Sequence, residues 1–215
     1  MTPGPTDRAR TDHPLATVYA IHDAFRRDTA RLMAAIGEQR AAQRPGVRAG
    51  WETFKCYLAL HHAAEAAALW PALRTEPACT GGGAASLTAL VRERERLCSL
   101  ASGISTALAV HNESHLRCYG EDFCTSLLVH LDQEETEVFP MALAVLSPAK
   151  WQAYMAEQSR RVRRDGSALY YPWLLDGAPE STRRYVLNLL SPAARLAFHT
   201  IWSPRYRRSA LSVRH

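Results

Sequence analysis

His22, His61, Glu65, His130 and Glu134 stand where helical periodicity calls for leucine or isoleucine. Imidazoles and carboxylates taken out of water are costly unless they pair, hydrogen-bond or ligate a metal. Two segments each carry His-x-x-x-Glu: His61 with Glu65, and His130 with Glu134. An i, i+4 pair lies on one helix face about one turn apart, so both side chains are directed at one spot. Two such pairs facing each other would form a pocket rich in nitrogen and oxygen inside a dry interior. Helical bundles build carboxylate-bridged di-iron and di-manganese sites this way. Mixed imidazole and carboxylate ligands suit iron, manganese or zinc.

The two pairs sit in an internal repeat. HHAAEAAALWPAL (61–73) aligns with HLDQEETEVFPMAL (130–143), and Pro71 and Pro140 each follow the histidine by ten residues. A proline inside a helical pattern is expected to kink each helix just beyond the proposed ligands.

Four long amphipathic segments must position these groups. In the first, about 14–39, Leu15, Val18, His22, Phe25, Thr29, Leu32 and Ile36 fall on one stripe. RPGVRAG (44–50) reads as a turn. A second helix is expected over 51–73, with Trp51, Phe54, Leu58, His61, Glu65 and Ala68 inward. A flexible loop (75–86) precedes a third helix capped by Ser86, whose stripe runs Leu87, Leu90, Arg94, Leu97, Ala101, Ile104, Leu108. Residues 111–121 are ambiguous, and Gly120 could break the chain. The fourth helix, 121–146, puts Phe123, Leu127, His130, Glu134, Met141 and Val145 inward, with Val138 one position off the strict register. Ser147-Pro148 closes it and opens a short helix through Tyr154. The expected fold is all-α: an arm (1–13), an antiparallel four-helix bundle (14–146), and a basic, partly helical extension (147–215) serving as a lid or partner surface.

IHDAFRRD in the first helix, HHAAEAAALWPAL in the second and HLDQEETEVFP in the fourth resemble the hemerythrin-like (HHE cation-binding) family across residues 14–146. The resemblance implies an antiparallel four-helix bundle with a bridged di-iron centre in its core. By motif match it assigns His22, His61, Glu65, His130 and Glu134 as metal ligands. Stripe phase separately prefers His61 over His62 and Glu134 over Glu135. The departure is in the third helix, where RERER (92–96) puts Arg94 at the place of the family's histidine. Arginine is permanently charged and is no metal ligand. It is expected to reach into the pocket and pair with Glu65 or Glu134. The site is then mononuclear, asymmetric and dinuclear, or metal-free around a buried ion pair. Glu93, Glu95 and Cys98 are substitute ligands.

The resemblance implies a non-haem iron protein acting on dioxygen, nitric oxide or peroxide by binding, sensing or detoxification. Arg94 would serve catalytically, stabilising an anionic peroxide. Two other readings stand beside it. One is a metal-dependent oxidase or oxygenase of specialised metabolism, with the extension covering a small-molecule substrate pocket. The other is a metal-free bundle acting as an interaction module.

Composition narrows the field. The chain has 215 residues, 47% apolar and 22% charged, which is a globular balance. No apolar run reaches the length of a membrane span, and MTPGPTDRAR does not resemble an export signal, so a cytoplasmic protein is expected. Five widely spaced cysteines without CxxC argue against disulfides and zinc ribbons. Residues 159–215 hold 11 arginines against three acids, while 1–158 hold 15 basic and 18 acidic residues. RRVRR (160–164) lacks interleaved aromatics and reads as a solvated face rather than a nucleic-acid site. His111 and His115 read as exposed, and Tyr170, Tyr171, Trp173, Leu174 and Leu175 as anchors for the extension.

Overall fold

The computed structural model describes residues 13–79 and 82–213, so most of the expected N-terminal arm lies outside the described residues. The chain is all-α, with no strand among the described residues. Helix α1 is Ala16–Ile36. Helix α2 begins as Pro45–Ala64, passes through a π-helical turn, Glu65–Leu69, and ends as Trp70–Arg74. Helix α3 is Gly82–Ala109. Helix α4 begins as Glu113–Gln133, passes through a second π turn, Glu134–Val138, and ends as Phe139–Val145. These are the four long helices of the expected bundle. Helices α5 (Pro148–Asp165), α6 (Ser167–Leu174) and α7 (Glu180–Asn188) follow. Helix α8 runs Pro192–Ala197, a third π turn Phe198–Trp202, then Ser203–Val213. Among the described residues no helix is long and apolar enough to cross a membrane.

Two compact units divide the chain. One takes in residues up to Asp28 and from Asp165 onward; the other is Thr29–Arg164. In the second unit, α3 and α4 are joined by a tight connection at Val110–Asn112, which turns them antiparallel and packs them along their length. Trp51 and Phe54 of α2 meet Phe123 of α4 edge-on, at 5.2 and 5.7 Å between centroids. Trp51 Nε1 donates to Ser105 Oγ of α3 at 2.9 Å. The end of α1 joins the same unit: the Cys124 thiol lies 3.8 Å from the carbonyl oxygen of Thr29. In the first unit the extension is anchored on the first half of α1. Trp173 of α6 is buried, lies 5.4 Å from the Phe25 ring and donates its Nε1–H to Asp28 Oδ2 at 2.6 Å. Arg27 donates to the carbonyl oxygens of Trp173 and Asp176 at 2.9 and 2.7 Å. Tyr171 stacks on Trp202.

Several boundaries differ from expectation, each for a local reason. Helix α2 starts at Pro45 rather than Trp51, because proline at the first helical position lacks only a donor that would be unused there. Helix α3 starts at Gly82, which places Ser86 inside it and not at its cap. Helix α4 starts at Glu113, capped by the Asn112 side chain accepting from the His115 N–H, so the ambiguous stretch is helical. Gly120 does not break it. A Cβ there would come within 2.9 Å of Ile36 Cδ1, so the missing side chain lets α1 approach α4. Helix α5 continues eleven residues past Tyr154.

The expected proline kinks take the form of π turns. Trp70 donates its N–H to the Glu65 carbonyl oxygen, Phe139 to that of Glu134, and Ser203 to that of Phe198, each five residues back. Each donor immediately precedes a proline: Pro71, Pro140 and Pro204. A proline ring collides with the carbonyl four residues before it and offers no N–H to it, and the wider turn relieves both. The wider turn also shifts the buried face. Leu69, Trp70 and Leu73 are buried in α2 while Ala68 is half-buried. Val138, Phe139, Ala142 and Leu146 are buried at the end of α4, and Met141 and Val145 are half-buried. The odd register of Val138 is this extra residue.

Gly103 and Gly50 are both helical but differ in surroundings. A Cβ at Gly103 would lie 2.8 Å from the Tyr119 ring, whereas one at Gly50 meets nothing within 4 Å. Gly103→Ala should lower unfolding stability by roughly 1 kcal/mol as overpacking outweighs helix propensity, while Gly50→Ala should raise it by about 0.5–1 kcal/mol. Urea unfolding of both variants checks this, and equal gains would mean that Tyr119 does not need the space.

Candidate metal centre

The π turns of α2 and α4 each begin at the glutamate of a His/Glu pair. On α2, His61 Nε2 lies 3.2 Å from Glu65 Oε1; on α4, His130 Nε2 lies 3.1 Å from Glu134 Oε1. All four side chains are within 1% of complete burial. The two pairs converge across the helix interface. His61 and Glu134 offer ligand atoms within 4.8 Å of each other. Glu65 and Glu134 interact as like charges, and His62 meets the His130 ring edge-on at 5.5 Å. His62 also faces inward, one position off the narrow stripe that periodicity marks. Leu60, His61, His62 and Ala64 are all buried, so α2 is covered over a wide arc.

The electrostatics follow from burying these groups together. Burial, then the charge and closeness of Glu134, hold the Glu65 carboxyl well above the usual carboxylate range against the opposing pull of Arg94. Burial pulls His130 down, but Glu134 and then Glu93 outweigh it and raise the imidazole, with Arg94 again opposing. Neither oxygen of Glu65 and neither ring nitrogen of His130 has a hydrogen-bond partner of acceptable angle among the described residues. The 3.1 Å approach of His130 to Glu134 is thus close in distance and poor in direction. Ligands about 2.1 Å from one cation at right angles are themselves about 3.0 Å apart. The spacing within each pair fits that edge, and a mixed nitrogen and oxygen donor set that leaves the Glu65 carboxylate without a hydrogen-bond partner fits a cation.

A model of the hemerythrin HHE cation-binding domain matches residues 13–142, more than half of the chain. The chain belongs to that family. No curated protein and no solved structure gives a match. The HHE match covers α1 to the last turn of α4, hence both ligand pairs, and leaves α5–α8 outside it.

His22 is completely buried on α1, in the unit that holds the start of that helix. It lies seven residues before the buried Thr29, so the two share a stripe. Arg94 of α3 is half-buried and its charge is felt by both Glu65 and His130. Among the described residues it forms no ion pair within 4 Å, so it acts through space and not through the expected contact with Glu65 or Glu134. Glu93 is half-buried and acts on His130, while Glu95 and Cys98 are exposed and Glu135 is half-buried. His111 and His115 are exposed, and His111 Nδ1 lies 2.9 Å from the Ala42 carbonyl oxygen. None of the five cysteines is disulfide-bonded; burial pushes the Cys124 thiol up to about 12. Glu157 holds Arg160 and Arg161 at 2.6 and 2.7 Å, which accounts for part of the RRVRR cluster as a solvated ion-pair face.

In metal-free protein, folded Glu65 keeps its proton above the pH at which the unfolded chain loses it, so stability falls as pH rises. His130, also raised, adds stability that is present at low pH and lost as pH climbs through its folded value. The two effects share a sign. The melting temperature of metal-free protein should therefore fall between about pH 5 and pH 8. Glu65→Gln should flatten that slope and stabilise the metal-free protein at pH 8 by about 1–3 kcal/mol. A steeper slope in the variant would contradict the assignment.

Proposed function

We propose that this HHE domain holds one or two iron ions and acts on dioxygen, nitric oxide or peroxide. His61, Glu65, His130 and Glu134 are the proposed ligands. The observation that carries the reading is the pair of buried His/Glu couples, each with ligand atoms 3.1–3.2 Å apart, and the unsatisfied carboxylate of Glu65 among them. Manganese or zinc suits the same donors; iron is favoured because it supplies redox chemistry and an open position for a small ligand when bound. The chain's own residues do the rest. Leu69, Trp70, Val138 and Phe139, all buried beside the glutamates, keep water out. Arg94, whose charge already reaches Glu65 and His130, favours an anionic ligand at the centre. Because Arg94 gives up the third-helix histidine, the proposed centre is poorer in nitrogen by one donor than the family pattern.

Protein expressed with iron should carry about one to two ions per chain and show near-ultraviolet charge-transfer absorption after oxidation. Glu65→Gln and His130→Ala should each cut the iron content sharply, and Arg94→His should add about one ion per chain. Colourless, iron-free wild-type protein would refute the proposal and favour the interaction-module reading.

A further inference from the structure

We infer that Pro71 and Pro140 are positioning residues for the metal centre: the π turns they impose set the helix phase that lets ligand pair and apolar plug face inward together. The inference rests on the proposed metal centre for its functional meaning, though its structural half stands without it.

An α-helix advances about 100° per residue. With Glu65 inward, an uninterrupted helix would bring Ala68 and Ala72 in and turn Trp70, five residues on, about 140° away. With Glu134 inward, it would bring in Met141 and Val145 and turn Phe139 away by the same angle. The structure instead buries Trp70 and Phe139 and leaves Ala68, Ala72, Met141 and Val145 half-buried. One extra residue per π turn supplies the missing rotation. Without it, each helix must choose between facing its glutamate inward and burying its large aromatic side chain.

Proline, rather than the ligands, accounts for the turn. The π turn Phe198–Trp202 stands at the same offset before Pro204 and holds no His/Glu pair. Pro172 opens no π turn, and the same offset would require one to begin at Gly166, outside α6. Ala66 and Ala67, in the middle of the α2 turn, are exposed, so the inserted residue sits where the protein has nothing to pack.

The test is a four-member set in the full chain: wild type, Pro71→Ala, deletion of Ala67, and both changes together. Pro71→Ala permits a plain α-turn but keeps the extra residue. The deletion removes the extra residue but keeps a proline that cannot sit in a plain α-turn. Each alone should weaken iron binding by about 10–100-fold. The combination, with Leu69 and Trp70 now three and four residues after Glu65, should return to within a few-fold of wild type. The melting temperature of the metal-free proteins should follow the same order. Rescue in the double variant cannot arise if either residue merely contributes local stability. Wild-type-like iron binding in Pro71→Ala, or no rescue in the combination, would overturn the inference. If wild type binds no iron, the metal reading fails, and the metal-free melting temperatures alone decide whether proline sets the phase.

Discussion

Two carboxylates and two imidazoles share a dry space between α2 and α4, and the rest of the domain is arranged around that constraint. Like charges a few ångströms apart with little water between them repel by several kcal/mol, and desolvation adds to the penalty. In metal-free protein the penalty appears as a carboxyl driven toward its neutral form and an imidazole driven toward its charged form. A bundle built only for stability would fill the space with leucine. The cost is sustained by an apolar shell on both sides: Trp51, Phe54 and Phe123 toward one end, and Leu69, Trp70, Val138 and Phe139 toward the other.

The same constraint explains why the duplicated motif extends past the glutamates to the prolines. A helix that must turn polar ligands and then bulky apolar groups to one side cannot do so over this spacing at a constant 100° per residue. The π turn is a local departure from regular geometry that makes both demands compatible. In α2 and α4 its energetic cost falls on helices already held by extensive packing. The third such turn, in α8, shows that the chain uses the device away from the ligands too.

The extension answers a different demand. In its unit, Trp173 is buried against Phe25, bonded to Asp28 and covered by the Arg27 guanidinium, whose Nη1 donates to two backbone carbonyls. These contacts fasten α6 to the stretch of α1 that carries His22. They give the aromatic cluster around residue 170 a structural occupation.

Much of this was legible before any coordinates. Residue type and spacing sufficed for the all-α class, the His/Glu pairs, the family resemblance and the importance of Pro71 and Pro140, because each depends on local periodicity or on a short motif. The helix starts at Pro45 and Glu113 are not legible there, since a proline at a first turn and the glycine at 120, where Ile36 comes close, look like breakers until the neighbouring element is present. The burial of His62, the reach of the half-buried Glu93's charge to His130 and the stand-off of Arg94 belong to the same class. They depend on which helix lies opposite, and periodicity along one strand of sequence carries no information about distance across an interface. The shift of the buried face past Glu65 and Glu134 is the sharpest case. The sequence by itself determined that something irregular happens at each proline, and only the packing of Trp70 and Phe139 decided that it is an added residue in the turn, because that choice is made by the burial of those rings.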